Sequence, residues 1–350
     1  MRPFFVNMPG TPLYFQDSKK WLNAMLREGH NLPISVPTWF TTFSAGDTYW
    51  PELFKTVYLT LSDEQIKMLN SVAHTTALTD FPEYAAHMFW SRWQAFFKHI
   101  LNGKAKPLGH IVDFFIRLEF QMRGSPHVHM MMWVIEGANV VLLQQTPEGI
   151  IKLASIIDVC VHTRTLLVPE GMSFALFVLL LYLLVCYLLG TAATHPSREI
   201  CPSEPLSSPA SQVQLAKCVS FMQMHTSKCE GSCLKYCKPN EPKKCRYGYP
   251  KMLRDTTTIT LTPNRSRIEM SVLTKRNHTL VNNYNPTLLQ NWRANMDVQF
   301  CGNPHGAASY VCMYMNKVES DQLAFKKVYR CICICVSAYM LVDKCVCVYV

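Results

Sequence analysis

Two histidines separated by one apolar residue, His127-Val128-His129, have a spacing that suits chemistry. On a β-strand, residues two apart point to the same face, so both imidazoles converge while Val128 turns away. The run IVDFFIRLEFQM is separated by Arg123-Gly124-Ser125-Pro126 from HVHMMMWVI, and two β-rich runs around a turn signal predict a β-hairpin. Glu119 and Gln121 then share one face of the opposing strand. Two imidazoles with a carboxylate or amide across the hairpin make a three-ligand site for a divalent ion that keeps positions open, able to polarise a phosphoryl oxygen. Imidazole intrinsically suits Zn, Ni and Cu, but mixed His and oxygen ligands of this kind also accept Mn or Mg once a phosphate supplies more oxygen. The plainer alternative is a histidine pair hydrogen-bonded to backbone in a half-buried hairpin.

A second pair has helical spacing. Tyr310 and Tyr314 lie in Ala307 to Lys317 and share a helix face, which brings two hydroxyls within reach of one substrate. Tyrosine oxygen can act as a covalent nucleophile, and a metal-polarised phosphodiester is a suitable electrophile; packing in a core or interface is the alternative. A third constellation, His225, Cys229, Cys233, Cys237 and Cys245, offers five soft ligands at H-x3-C-x3-C-x3-C-x7-C spacing. A structural zinc needs four, and the rival reading is reduced cysteines in a basic loop. Around them Lys228, Lys235, Lys238, Lys243, Lys244 and Arg246 alternate with Tyr236, Tyr247 and Tyr249. Cations interleaved with stacking rings suit a single-stranded DNA surface, or else form a solvated face.

The elements that must position these groups are partly readable. Thr38 to Ser44 is aromatic and Thr-rich and predicts a strand. Ser62 to Asn70 and Phe81 to Leu101 have helical spacing, the latter with Phe89, Trp90, Trp93, Phe96 and Phe97 on a broad core-facing stripe, and Asp17 to Glu28 reads as a further helix. Residues 256–300 alternate weakly. The chain of 350 residues is 49% hydrophobic and 17% charged, which excludes collagen, coiled coil and disorder. Its formal charge of +10 favours a polyanionic partner. Met1 to Asn31 is mixed and charged, without an apolar leader, so the 15 cysteines are expected in a reducing compartment rather than a secreted disulfide scaffold.

Five segments in fixed order carry a family resemblance: FTTFSAGDTYWPEL (Phe40 to Leu53), RLEFQMRGSPHVHMMMW (Arg117 to Trp133), HTSKCEGSCLKYCKPNEPKKCRYGYP (His225 to Pro250), LVNNYNPTLLQNWRANMDVQ (Leu280 to Gln299) and YVCMYMNK (Tyr310 to Lys317). The ordered set resembles the amino-terminal replication-initiator region of Helitron transposases, the Helitron helicase-like domain, over most of residues 1–137 and 218–320. The resemblance implies an HUH endonuclease of α+β class, with a central antiparallel sheet flanked by helices and the histidines on one strand. It implies that His127 and His129 hold the catalytic ion with Glu119 or Gln121, and that Tyr310 and Tyr314 attack single-stranded DNA to leave a 5′-phosphotyrosine and a free 3′-hydroxyl. Lys317, one turn beyond Tyr314, would neutralise a phosphate. Met313 departs from the Lys often found before the second tyrosine. Full-length relatives continue into a helicase, but this sequence has no G-x-x-x-x-G-K-[ST] phosphate loop, so a helicase is an expected partner and ATP-driven unwinding is not expected of the chain itself.

The expected organisation is a first endonuclease part (1–137), an insertion (138–217), the basic Cys-rich segment (218–254), a second endonuclease part with the tyrosine helix (255–320) and a Cys-rich tail (321–350). The insertion holds sixteen consecutive apolar residues, Phe174 to Leu189, then a Pro/Ser-rich linker. Sixteen residues cover about 24 Å of helix against a bilayer core of about 30 Å, so a membrane span is disfavoured, and the resemblance to a transposase implies a nuclear location. A membrane-anchored protein with a Cys-rich binding module, and an inactive transposon remnant that only binds DNA, are the rival readings.

Overall fold

A computed structural model describes residues 37–46, 50–60, 62–68, 80–120, 125–135, 143, 146–165, 209–235, 237, 242–264, 267–301 and 348–349. Tyr310, Tyr314, Lys317, Gln121, Lys238, Tyr236, the Asp17 to Glu28 helix and the apolar run Phe174 to Leu189 lie outside these residues.

The described residues form an α+β architecture around a sheet with strand order β6-β1-β3-β2-β7. Its strands are β1 (Trp39–Ser44), β2 (Ile111–Phe120), β3 (Pro126–Val134), β6 (Met296–Phe300) and the short β7 (Val348–Tyr349). The β1–β3, β1–β6 and β2–β3 pairs are antiparallel, and β7 joins β2 in parallel. The hairpin and first strand expected from sequence are present.

Alternation divides the sheet into two chemically different faces. Trp39, Phe43, Ile116, Leu118, Val128, Met130, Met132, Met296 and Val298 point into the main hydrophobic core. The residues between them, including Thr42, Arg117, Glu119, His127, His129 and Asp297, share the other face by register.

Helix α3 (Pro82–Phe96) packs on the apolar face, following α1 (Pro51–Val57) and α2 (Asp63–Met68). Its Ala86, Phe89, Trp90, Trp93 and Phe96 recur at helical spacing and are all buried, and Pro82 starts it where a missing N–H costs nothing. The helical run extends to Leu101 as predicted, but its last five residues, Phe97–Leu101, widen into a π-turn in which the Asn102 amide donates to the Phe97 carbonyl at 2.8 Å. Gly103 follows because a Cβ there would stand 1.9 Å from the His99 carbonyl oxygen.

Trp292, at the end of α6 (Pro286–Trp292), is the hub of this core. Its ring lies 5.1 Å from Trp50, 5.0 Å from Phe96, 5.6 Å from Phe89 and 5.8 Å from Phe43, and its indole N–H donates to the Ser44 carbonyl at 2.8 Å. Arg92 completes the arrangement. Its guanidinium sits 4.5 Å above Trp50, pairs with Glu52 at 2.8 Å and donates to the Asn291 and Trp292 carbonyls, placing a cation on helix-end acceptors that lack intrahelical donors.

The weakly alternating stretch 256–300 resolves into three pieces. Strands β4 (Thr258–Asn264) and β5 (Arg267–Leu273) form a ribbon whose Ile259, Leu261, Met270 and Val272 pack on the core. Helix α6 is capped by Asn285, whose side-chain oxygen accepts from the Leu288 amide at 3.1 Å, and has Pro286 in its first turn. Helices α4 (Pro147–Cys160) and α5 (Pro209–Met222) add Leu153, Ile157, Leu215, Cys218 and Val219 to the same core.

The NNYN segment wires these pieces together. Asn282 and Asn283 donate to the Met296 and Val298 carbonyls of β6 at 2.9 and 3.3 Å. Tyr284 donates to the Arg164 carbonyl at 2.8 Å, and the Asn285 amide donates to the Pro107 and Cys160 carbonyls.

Two outcomes follow for stability. Trp292→Ala should cost about 3–5 kcal/mol, the range for deleting a fully buried large aromatic, read as a shift of the urea midpoint, with Trp292→Phe costing less. His162 exchanges backbone hydrogen bonds with Tyr284, and burial, reinforced by Arg164, lowers its imidazole from 6.5 to about 4. The unfolded chain therefore binds a proton there between about pH 6.5 and 4 that the folded chain does not. Stability should fall as pH drops through that window, and His162→Gln should flatten the slope of unfolding free energy against pH.

Candidate functional site: a histidine face and a thiol cluster

The register sets the polar face. Glu119 stands opposite His127, Arg117 opposite His129, and across the other edge of β3 Thr42 faces His129 and Ser44 faces His127. These positions follow from the hairpin turn and the two-residue period. A one-residue slip would send the whole set to the apolar side.

Glu119 and His129 are in direct contact, with Glu119 Oε2 3.0 Å from His129 Nε2. On the opposite side of the ring, Thr42 Oγ1 lies 3.1 Å from Nδ1, and Phe40 stacks in parallel with the imidazole at 6.2 Å. Both nitrogens of His129 are thus fixed, Nδ1 by the threonine and Nε2 toward the carboxylate. His127 is buried beside them, and Arg117, also buried, puts a guanidinium on the same face. Sequence reasoning did not single out Thr42, although it lies inside the FTTFSAG run, and the signal that finds it is its pairing with His129.

Two imidazoles and a carboxylate suit a divalent ion with open positions. The 3.0 Å spacing of Glu119 and His129 also agrees with neighbouring ligands at about 2.1 Å and right angles, which stand about 3.0 Å apart. A ligating histidine whose second nitrogen is held by a hydrogen-bond partner is the usual arrangement at metal sites.

Asp297 is another residue that sequence reasoning passed over. It lies on β6 in register with Thr42 and takes a hydrogen bond from Gln299. Burial raises its carboxyl above the usual range, against the hydrogen bond from Gln299 and the opposing charges of Lys251 and Arg276.

Among the described residues, three or more ligand atoms of His, Cys, Asp or Glu come together in the Cys-rich segment and not on the histidine face. His225, Cys229, Cys233 and Cys245 bring their ligand atoms within 4.8 Å of one another. His225 follows α5 through the Met224–Val281 bridge, Cys233 sits in a short 3-10 turn (Gly231–Leu234), and Cys245 precedes a turn at Gly248, whose φ of +73° favours glycine. The fifth predicted ligand, Cys237, is outside the cluster and donates instead to the Lys244 carbonyl at 3.2 Å.

The crowded sulfurs polarise one another. Burial, then Cys245 and Cys233, push the Cys229 thiol up to about 11. At Cys245, desolvation is outweighed by the backbone amides of Tyr249 and Tyr247, and its thiol is lowered.

Around the cluster Lys235, Lys243, Lys244 and Arg246 are exposed. Arg246 lies 4.5 Å over the Tyr247 ring, and Tyr249 stacks on His225 at 4.3 Å.

Thr42→Val should leave the fold intact and weaken Mn binding at the histidine face by about 10- to 100-fold, the range for removing the partner of a ligating histidine, whereas Thr42→Ser should retain it. Calorimetric titration with Mn reads both, and equal affinities in all three proteins would deny the threonine this role.

No curated protein and no solved structure matches the chain. Residues 4–132 match the family model of the Helitron helicase-like domain at N-terminus. That match runs through β1, β2 and the histidine strand as far as Met132. The amino-terminal region of this chain is thus similar to that domain.

Proposed function

We propose that the chain carries a transposon-derived, divalent-metal-dependent nicking and strand-transfer domain of HUH type for single-stranded DNA. The observation that supports it best is the Glu119–His129 contact at 3.0 Å beside His127 on one sheet face, inside the Helitron-like region.

In this reading His127, His129 and Glu119, with Gln121 as the alternative oxygen ligand, hold Mg or Mn. The ion supplies Lewis-acid polarisation of the scissile phosphate. Arg117 adds positive charge to the face that receives the phosphodiester. The hydroxyl oxygen of Tyr310 or Tyr314 attacks phosphorus, the new O–P bond forms as the P–O3′ bond breaks, and the proton lost by tyrosine ends on the departing 3′-oxygen through solvent. Lys317 neutralises the phosphate. Two tyrosines permit two successive transfers, as rolling-circle transposition needs.

Lys235, Lys238, Lys243, Lys244 and Arg246 hold the strand by its backbone, and zinc occupies the thiol cluster, whose soft donors differ from those of the histidine face. A helicase is the expected partner of such a domain, and the site of action is nuclear DNA. Among the described residues no helix is long and apolar enough to cross a membrane.

Incubation with labelled single-stranded DNA and Mn or Mg should give a covalent protein–DNA adduct that disappears in the Tyr310→Phe, Tyr314→Phe double variant. His127→Ala should lower nicking by at least about 10²-fold, the equivalent of a few kcal/mol of lost transition-state stabilisation, with DNA binding retained. An adduct that survives in the double variant would overturn the tyrosine assignment, and binding without any adduct in the unmodified chain would identify a DNA-binding remnant.

A further inference from the structure

We infer that His225, Cys229, Cys233 and Cys245 hold one zinc ion, that Cys237 stays outside the ligand set, and that the ion fastens the Cys-rich segment to the chain that carries β6. The inference deepens the zinc assignment of the proposed function and is independent of the nicking chemistry.

Geometry selects the four. One nitrogen, His225 Nε2, lies 3.4 Å from Cys229 Sγ, 3.7 Å from Cys233 Sγ and 3.3 Å from Cys245 Sγ. A single imidazole nitrogen offers one lone pair or one proton and cannot satisfy three thiols by hydrogen bonding, whereas a cation at the centre satisfies all four groups at once. Zn–S and Zn–N bonds of about 2.3 and 2.0–2.1 Å in a tetrahedron put sulfur and nitrogen about 3.6 Å apart, which the three observed distances bracket. Three thiolates and an imidazole are soft donors, unsuited to Mg or Ca. The spacing H-x3-C-x3-C-x11-C omits Cys237, whose thiol is already directed to the Lys244 carbonyl.

The same histidine is tied to the sheet by two routes. Its backbone amide donates to the Leu280 carbonyl at 2.8 Å. Its ring stacks on Tyr249 at 4.3 Å, the Tyr249 hydroxyl donates to Asn282 Oδ1 at 3.1 Å, and Asn282 Nδ2 donates to the Met296 carbonyl of β6 at 2.9 Å. Asn282 is also held from α5's end, its backbone amide donating to the Gln223 carbonyl at 2.7 Å. A metal on His225 therefore braces the ring against Tyr249, and through Asn282 it braces the strand that pairs with β1. Without the ion, three crowded thiols are left in a segment of few apolar contacts, and the tyrosine loses a fixed ring to stack on.

The full chain, purified from zinc-replete culture, should contain one zinc by elemental analysis. After exchange to cobalt it should show visible bands of a tetrahedral site with sulfur charge transfer of three-thiolate intensity. Cys237→Ser should keep the metal and the spectrum, Cys233→Ser should lose both, and Tyr249→Leu should keep the metal. Chelation should speed amide hydrogen exchange across residues 280–283 and 296–300, and Tyr249→Leu should do so with the metal still bound. A chain without zinc would overturn both the inference and the zinc assignment beneath it. Metal loss in Cys237→Ser, or retention in Cys233→Ser, would overturn the ligand set alone. Unchanged exchange on chelation would overturn the brace, and none of these results bears on the adduct assay.

Discussion

Strand β3 lies at the centre of the sheet, and every residue from Pro126 to Val134 is buried. It must satisfy two environments at once. Val128, Met130 and Met132 fill the hydrophobic core, and the intervening His127 and His129 are withdrawn from water on the opposite side. Burying polar rings is costly unless partners meet them. For His129 the partners come from both neighbouring strands, Thr42 on β1 and Glu119 on β2. The register of three strands, the identity of the core and the geometry of the polar face are therefore one constraint, since β3 cannot slip by one residue without exchanging histidines for methionines, nor β1 or β2 without withdrawing Thr42 or Glu119 from His129.

That constraint explains why so much of the remaining polar sequence is structural. The segment from Asn282 to Asn285 spends its side chains on carbonyls of β6, on the Arg164 carbonyl, on the end of α4 and on the turn at Pro107. Strand β6 is only five residues long and pairs with β1 along one edge, so these contacts replace stabilisation that a longer strand would draw from its own ladder. Trp292 performs the matching task on the apolar side, where it joins α6, α3 and the end of β1 by ring contacts and one indole hydrogen bond.

The parts legible in the sequence were those governed by short periods. The hairpin, the shared face of His127, His129 and Glu119, the strand at Thr38 to Ser44 and the aromatic helix all follow from alternation or helical spacing over adjacent residues. Thr42 and Asp297 were not legible, because their relation to His129 exists only once strands far apart in sequence are paired. The same limit applies to the thiols. Spacing along the chain presents Cys237 as an equal of its neighbours, and only the turn at Gly231–Leu234 and the return of Cys245 to His225 separate them. Helix α6 was missed for another reason. Seven residues are too few to show a period, although the Asn285-Pro286 start is a capping signal that a reader attentive to helix ends can use.

The two candidate metal centres differ in a way that decides what each can do. Four protein ligands would close the thiol cluster around a tetrahedral ion, and such a centre would leave no position for a substrate oxygen. The histidine face offers fewer protein ligands and an arginine alongside, so an ion there keeps positions for a phosphate. Donor softness separates the two sets in one direction, because three thiolates disfavour Mg and Mn while imidazole with carboxylate admits them as well as zinc. The centres are nevertheless joined, since Asn282 touches Tyr249 on one side and Met296 on the other, and β6 pairs with the strand that presents Thr42 to His129. The only physical link on that route is hydrogen bonding and backbone pairing, so any coupling between the two centres would run without shared ligands or shared charge.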